Sequence, residues 1–382
     1  MACLAPIGDE LARVGVRLLA VLAVAGVAAC SEPPQRPEPS VEPVSVGATA
    51  EGLTLDGKPW WPSGFDAPQL ATNFAINFGC GAEVELDSYF GSLPKNALTR
   101  FNLFQAFAVD KTTGELNFTA VDAVFQAAER HRQAVLPVLS AQDGGCSDER
   151  FKQRQWYVEG WKQFRPVRGR AVMSYRDWVR TAVSRWHDSP VLAGWELVGE
   201  PEASECAGRD CTLRARTCPA DAAQVLRRFF DEAGAIVRKL DPGRLIFSGF
   251  TGGGQCGTAG ADYAFVAASP QVDVLDYHDY SKDPAVLPGD GHDGLAVRFQ
   301  QARDLGKPLL LAEVGEEAGS CRSPQARRDD MAVKLTTVRE AGAAGALFWA
   351  FVPDPRPDEC TLDIGPRDPL WTLVAERITV GP

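Results

Sequence analysis

The sequence lacks a basic surplus. Its 39 lysines and arginines are outnumbered by 50 aspartates and glutamates, for a formal net charge of -11. No cationic stripe is available to release counterions from nucleic acid, so nucleic acid is not an expected partner. Long apolar runs are also scarce: Leu18–Ala29, LLAVLAVAGVAA, has twelve residues, too few to span a bilayer but the length of a secretory h-region. There is no Gly-x-Ser-x-Gly elbow, which leaves a serine esterase without its nucleophile turn. GFTGGG at Gly249–Gly254 lacks the Lys-Ser/Thr ending of a phosphate loop and reads as a flexible loop. GDGHDG at Gly289–Gly294 lacks the oxygen-ligand pattern of a calcium loop and reads as a turn.

What is present begins with the leader. Arg13 and Arg17 precede the apolar run, and Val27, Ala28 and Ala29 directly before Cys30 resemble a bacterial lipobox. On that reading Cys30 becomes the lipidated first residue of an exported protein held at the bacterial cell membrane; an ordinary signal cleaved elsewhere is the alternative. SEPPQRPEPSVEPVSVGATA follows, with prolines at 33, 34, 37, 39 and 43 and no apolar periodicity, the pattern of a stiff tether. The expected organisation is a leader over 1–29, a tether over 30–51 and one folding unit over 52–382, acting as a monomer.

Apart from Cys3 and Cys30, the cysteines are Cys80, Cys146, Cys206, Cys211, Cys218, Cys256, Cys321 and Cys360. An even number in an exported chain points to disulfides, whose pairing the spacing leaves open. A zinc site from Cys206, Cys211 and Cys218 is the rival, though no Cys-x-x-Cys pair supports it.

Short apolar runs alternate with helical patterns. Strands are expected at Trp61–Phe65, Leu98–Phe104, Ala134–Leu139, Leu192–Val198, Arg244–Gly249, Val272–His278, Pro308–Val314 and Gly345–Phe351. Amphipathic helices are expected from Thr119, from the Ser174/Asp177 capping box, over Ala222–Leu240, near Leu295–Leu305 and over Gln325–Ala341. Alternation of this kind implies parallel pairing, and eight such units close most simply into an α/β fold of the (β/α)8 TIM-barrel type, with the active face built from the loops that follow the strands. All eight cysteines of the folding unit fall in those loops, as staples. The insertion Ala141–Val172 carries Trp156, Tyr157, Trp161 and Phe164, which serve either as sugar platforms or as a satellite core.

Two glutamates stand at expected strand ends: Glu200 in GWELVGEPE after strand four and Glu313 in LLLAEVGEE on strand seven. Glycosidic bond cleavage needs such a pair, one carboxyl protonated to donate to the leaving oxygen and one ionised to attack the anomeric carbon.

GWELVGEPE resembles the Trp-Glu-Leu-x-Asn-Glu-Pro stretch of family 5 glycoside hydrolases of clan A, most closely the β-mannanase branch. Arg100 in LTRFNLF resembles that family's strand-two arginine, His278 and Tyr280 in DYHDY its strand-six His-x-Tyr, Glu313 its nucleophile and Trp349 in ALFWAF its strand-eight sugar platform. The resemblance implies a carbohydrate substrate, a retaining mechanism with Glu200 as acid/base and Glu313 as nucleophile, and no metal or cofactor. Blander readings stand beside it. Arg100 can be a barrel ion pair with Glu196, and His278 a satisfied core histidine; Glu202, Glu205, Glu316 and Glu317 can be solvated loop charges, with Glu316 replacing Glu313 if the strand ends later.

One position departs from the resembling pattern. Where that family has asparagine, whose amide bonds the sugar 2-hydroxyl, this chain has Gly199. Either the substrate is bulkier or differently configured at carbon 2, or another group supplies the bond, or the barrel is a non-catalytic carbohydrate-binding lipoprotein.

Overall fold

The computed structural model describes residues 43–143, 146, 151–164, 171–208 and 211–381. The expected leader over 1–29 and the lipidation site Cys30 lie outside the described residues.

Eight parallel strands form one sheet: Ser63–Asp66, Leu98–Asn102, Ala134–Val138, Gly194–Glu196, Leu245–Phe247, Leu275–Asp279, Leu309–Val314 and Ala346–Phe348. Each pairs with its sequence neighbour, and strand eight returns to strand one through Phe348 opposite Phe65. The remaining gap, between strands five and six, is closed by a parallel bridge from Phe247 to Val274, with Asp273 N–H donating to the Ile246 carbonyl at 2.8 Å. The result is the expected (β/α)8 barrel. The strands read as unbroken apolar runs because both their faces are covered; all five residues of Ala134–Val138 are buried.

A helix follows every barrel strand. Thr119–His131, Tyr175–Trp186, Ala222–Leu240, Leu295–Leu305 and Pro324–Glu340 match the sequence reading, and Ser174 Oγ accepts the Asp177 N–H at 3.1 Å as the capping box requires. Three shorter helices, Leu86–Ser92, Ala261–Ala267 and Leu370–Arg377, complete the ring.

The interior layer that includes Leu98, Leu136, Phe247, Leu310 and Leu347 packs in one cluster with Leu53, Leu55 and Trp60. Those three belong to a four-stranded antiparallel sheet of Val46–Thr49, Gly52–Leu55, Lys58–Trp61 and Thr379–Val380, which floors the barrel. Val46–Thr49 lies within the stretch read as tether, yet it pairs residue for residue with Gly52–Leu55. The tether's last proline is Pro43, so nothing beyond it blocks a ladder, and burying Val46 draws the strand in.

The cysteines pair as Cys80–Cys146, Cys206–Cys211, Cys218–Cys256 and Cys321–Cys360. All eight sit in loops after strands, so the staples join loops one and three, four and five, and seven and eight. The zinc alternative falls, because Cys218 is bonded away from the other two proposed ligands.

Candidate active site

A cleft of about 1080 Å3 opens where the strands end, walled by the loops that follow them. Its floor is an ion cluster centred on Arg100. This guanidinium, buried on strand two, donates Nε and Nη2 to the two oxygens of Glu196, each at 2.7 Å, and Nη1 to both Asp66 and Glu313, also at 2.7 Å. Both sequence readings of Arg100 therefore hold at once: it is the barrel ion pair with Glu196 and a partner of Glu313. Burial disfavours its charge, but Glu196, Asp66 and Glu313 outweigh that and hold it well above the ordinary arginine value. Burial holds the Asp66 carboxyl well above the usual carboxylate range despite Arg100, and lifts Asp276, with help from the charge of Glu196, to about 7.

Glu313 is the penultimate residue of strand seven. Arg100 holds one of its oxygens and the Tyr280 hydroxyl donates to the other. Burial and then the adjacent Glu313 charge drive Tyr280 far above its usual value, so the hydroxyl keeps its proton. His278 opposes Glu313 in the strand ladder and is buried; its Nδ1 lies 2.8 Å from Glu200 Oε1 and 3.4 Å from Glu313 Oε2. Burial pushes the imidazole down, but Glu313 and Glu200 together raise it to about 9, so it carries a positive charge at neutral pH. One oxygen of Glu200, one of Glu313 and a ring nitrogen of His278 all lie within 4.8 Å of one another.

Glu200 stands at the cleft with its side chain 45% exposed. Burial would raise its carboxyl, yet the hydrogen bond and charge of His278 prevail and hold it below the ordinary glutamate value. Its backbone is in the left-handed region at φ 61, costly for a non-glycine residue and more so before Pro201, which disfavours helical conformations of the preceding residue. The fold imposes it: Glu200 N–H donates to the Gly249 carbonyl at 2.8 Å, and Gly199 is held on both sides by Ser140 and Gln142. Strain of about 1–3 kcal/mol held at such a residue is characteristic of a functional position.

Gly199 lines the same cleft. A Cβ there would lie 3.2 Å from Arg100 Nη2 and 3.4 Å from Glu196 Oε1, so a side chain would press on the ion cluster. Trp349 lines the wall at the end of strand eight. All seven expected cleft residues, Arg100, Gly199, Glu200, His278, Tyr280, Glu313 and Trp349, thus gather at one end of the barrel.

Other expectations are corrected. Glu202 and Glu316 are not solvated charges: both are buried and ion-paired, with Arg216 and Arg322. Glu316 is accordingly no substitute for Glu313. In the strand-three insertion Tyr157 and Trp161 are buried against Phe229 at ring separations of 5.1 and 5.5 Å and join the main core, so packing and not sugar stacking accounts for them; Phe164 alone of the four is largely exposed. Asp66 and Asp276 escaped the sequence reading, although an acid at the end of an apolar strand, as in SGFD, is a readable signal.

No family model matches the chain. The chain is 24% identical over 345 residues to a protein named "Probable mannan endo-1,4-beta-mannosidase F" from Aspergillus flavus, an alignment covering 80% of this chain and 66% of that protein. It is 23% identical over 257 residues to mannan endo-1,4-beta-mannosidase F of Aspergillus clavatus, covering 63% and 52%. The chain therefore spans between about half and two thirds of the length of these curated relatives. Among solved structures, the endo-1,4-beta-mannanase of Rhizomucor miehei superposes with a TM-score of 0.61 at 17% identity, over 88% of this chain and 98% of that one. A glycoside hydrolase family 5 mannosidase from the same organism gives 0.57 at 14% identity, over 87% and 96%. These likenesses establish the barrel.

Proposed function

We propose that this protein is a retaining glycoside hydrolase acting on a β-linked glycan of mannan or glucan type, or on a bacterial envelope glycan. The observation that carries the reading is the approach of Glu200 and Glu313, with carboxylate oxygens within 4.8 Å, in a cleft of about 1080 Å3. Retaining pairs stand about 5–5.5 Å apart, whereas inverting pairs need room for a water between them. The names of the curated relatives favour mannan within that class.

In the mechanism we infer, Glu313 attacks the anomeric carbon, and Arg100 and Tyr280 orient its two oxygens. The leaving oxygen receives its proton from the Glu200–His278 pair. A general acid ordinarily has a raised pKa, but here the imidazolium holds Glu200 below the ordinary glutamate value, so the pair as a whole stores the proton. Its transfer through Glu200 leaves His278 neutral. A water deprotonated by Glu200 then releases the sugar from Glu313.

The four disulfides support the reading of the chain as an exported protein, and attachment through a lipid on Cys30 belongs to the same proposal. Gly199 favours one competing reading, a carbohydrate-binding barrel without turnover. Product release from mannan, glucan and envelope glycans by the oxidised protein, beside Glu200→Gln and Glu313→Gln, separates the two. Turnover lost in both variants supports the hydrolase; binding without turnover in the unmodified protein overturns it.

A further inference from the structure

The loop after strand five, GFTGGGQCG, is not the slack connection its glycines suggest. The buried guanidinium of Arg298 donates to the carbonyls of Gly252 and Gly260, each at 2.8 Å, and Cys256 is bonded to Cys218. Ala203 N–H, just past the Glu200 turn, donates to the Cys256 carbonyl at 3.1 Å. Gly252, at φ 73, is required where it stands, since a Cβ there would meet the Tyr277 ring at 2.3 Å. A loop fixed this firmly holds its side chains in place.

Thr251 is the residue this loop brings to the reacting centre. Its carbonyl accepts the backbone N–H of His278 at 3.0 Å, which ties this part of the loop to the strand whose imidazole touches both glutamates. Two residues earlier, Gly249 accepts the Glu200 N–H. Thr251 lines the cleft, is only 9% exposed, and its Oγ1 is buried with no hydrogen-bond partner among the described residues. Gln255 Oε1, also in the cleft wall, is likewise buried without a partner. Buried polar groups are nearly always satisfied, so two orphans on one wall of a cleft are candidates for bonding by a ligand.

We propose that Thr251 is a substrate-recognising residue whose hydroxyl bonds a ring hydroxyl of the sugar at the reacting centre, supplying the polar contact that Gly199 cannot make. The inference rests on the glycoside hydrolase reading and narrows its substrate to glycans presenting a free hydroxyl at that point of the ring.

The test compares Thr251→Val, which keeps shape and loses the hydroxyl, with Thr251→Ser, which keeps the hydroxyl. Turnover of mannohexaose and cellohexaose is measured, with calorimetric affinity for the same hexaoses and thermal melting. The expected result is a fall of about 10- to 100-fold in kcat/KM for T251V, with kcat sharing the loss, because the sugar hydroxyl is left unpaired in the transition state. T251S should restore activity to within about threefold. Melting of T251V should be unchanged or higher, since the deleted hydroxyl has no partner among the described residues. Equal losses in the two variants, or a T251V protein within about twofold of the original in turnover and affinity, overturn the proposal. Absence of turnover with affinity weakened only in T251V overturns the hydrolase reading and leaves Thr251 standing; absence of both turnover and binding overturns both.

Discussion

Arg100 and Glu196 meet in a two-pronged ion pair, Nε to Oε2 and Nη2 to Oε1, each 2.7 Å long and fully enclosed by the barrel. That grip fixes the plane of the guanidinium and so aims its remaining nitrogen, Nη1, at Glu313. A lysine retains the charge but presents a single rotatable ammonium. Arg100→Lys should therefore lower kcat/KM by about 100-fold or more and destabilise the fold by about 2–4 kcal/mol, because Glu196 loses a partner with no water to replace it. Turnover and urea unfolding measured on one preparation check both. Full activity in the variant would show that Arg100 only braces the barrel.

Tyr280 acts on Glu313 from the other side, and its contribution separates from stability. It is 41% exposed, so removing its hydroxyl disturbs little packing. A hydrogen bond to a charged acceptor contributes about 1.5–3 kcal/mol. Tyr280→Phe should reduce kcat by about 10- to 100-fold while melting within about 2 °C of the original protein, as paired kinetic and melting measurements would read.

How far the sequence anticipates this site follows from where each signal resides. Barrel strands such as AVLPV are apolar throughout because both faces are covered, and long helices such as Ala222–Leu240 show their period over several turns, so both are readable. Leu86–Ser92, Ala261–Ala267 and Leu370–Arg377 are only two turns long and carry no resolvable period. Glu200 and Glu313 are legible as acids ending apolar strands. Glu202 and Glu316 look like ordinary loop charges, because Arg216 and Arg322, which neutralise them, come from elsewhere in the loops. The role proposed for Thr251 gives no signal at all: it depends on a hydroxyl with no partner among the described residues, and only the folded loop, pinned by Arg298 and Cys218, creates that condition.

The charge on His278 should make stability depend on pH. Its folded value of about 9 exceeds the ordinary histidine value of 6.5, so the folded protein binds the proton more tightly than the unfolded chain. The stabilisation is complete below pH 6.5 and disappears as the pH rises through 9. At 1.36 kcal/mol per unit the shift corresponds to about 3 kcal/mol. Glu200 works in a lower window: its depressed value stabilises the fold above pH 4.5 and is lost as the pH falls. Denaturant unfolding of the original protein should weaken between pH 6.5 and 9, and His278→Asn should flatten that decline. An identical slope in the variant would assign the dependence to other groups.

The four disulfides should differ in what they contribute. In the chain-entropy account, stabilisation grows with the length of chain enclosed. Cys218–Cys256 spans 38 residues, for about 4 kcal/mol, whereas Cys206–Cys211 spans 5, for about 2. Replacing each pair by alanines and measuring the urea midpoint should reproduce that order. Activity should divide the pairs more sharply still. Cys256 lies in the cleft wall and its carbonyl ties the Glu200 loop to the Thr251 loop, so C218A/C256A should lose turnover even in dilute solution well below its unfolding midpoint. Cys206–Cys211 closes a turn within a single loop, and neither cysteine lines the cleft, so C206A/C211A should keep its turnover. Equal activity in the two double variants would mean that the hydrogen bonds from Arg298 hold the strand-five loop without the staple.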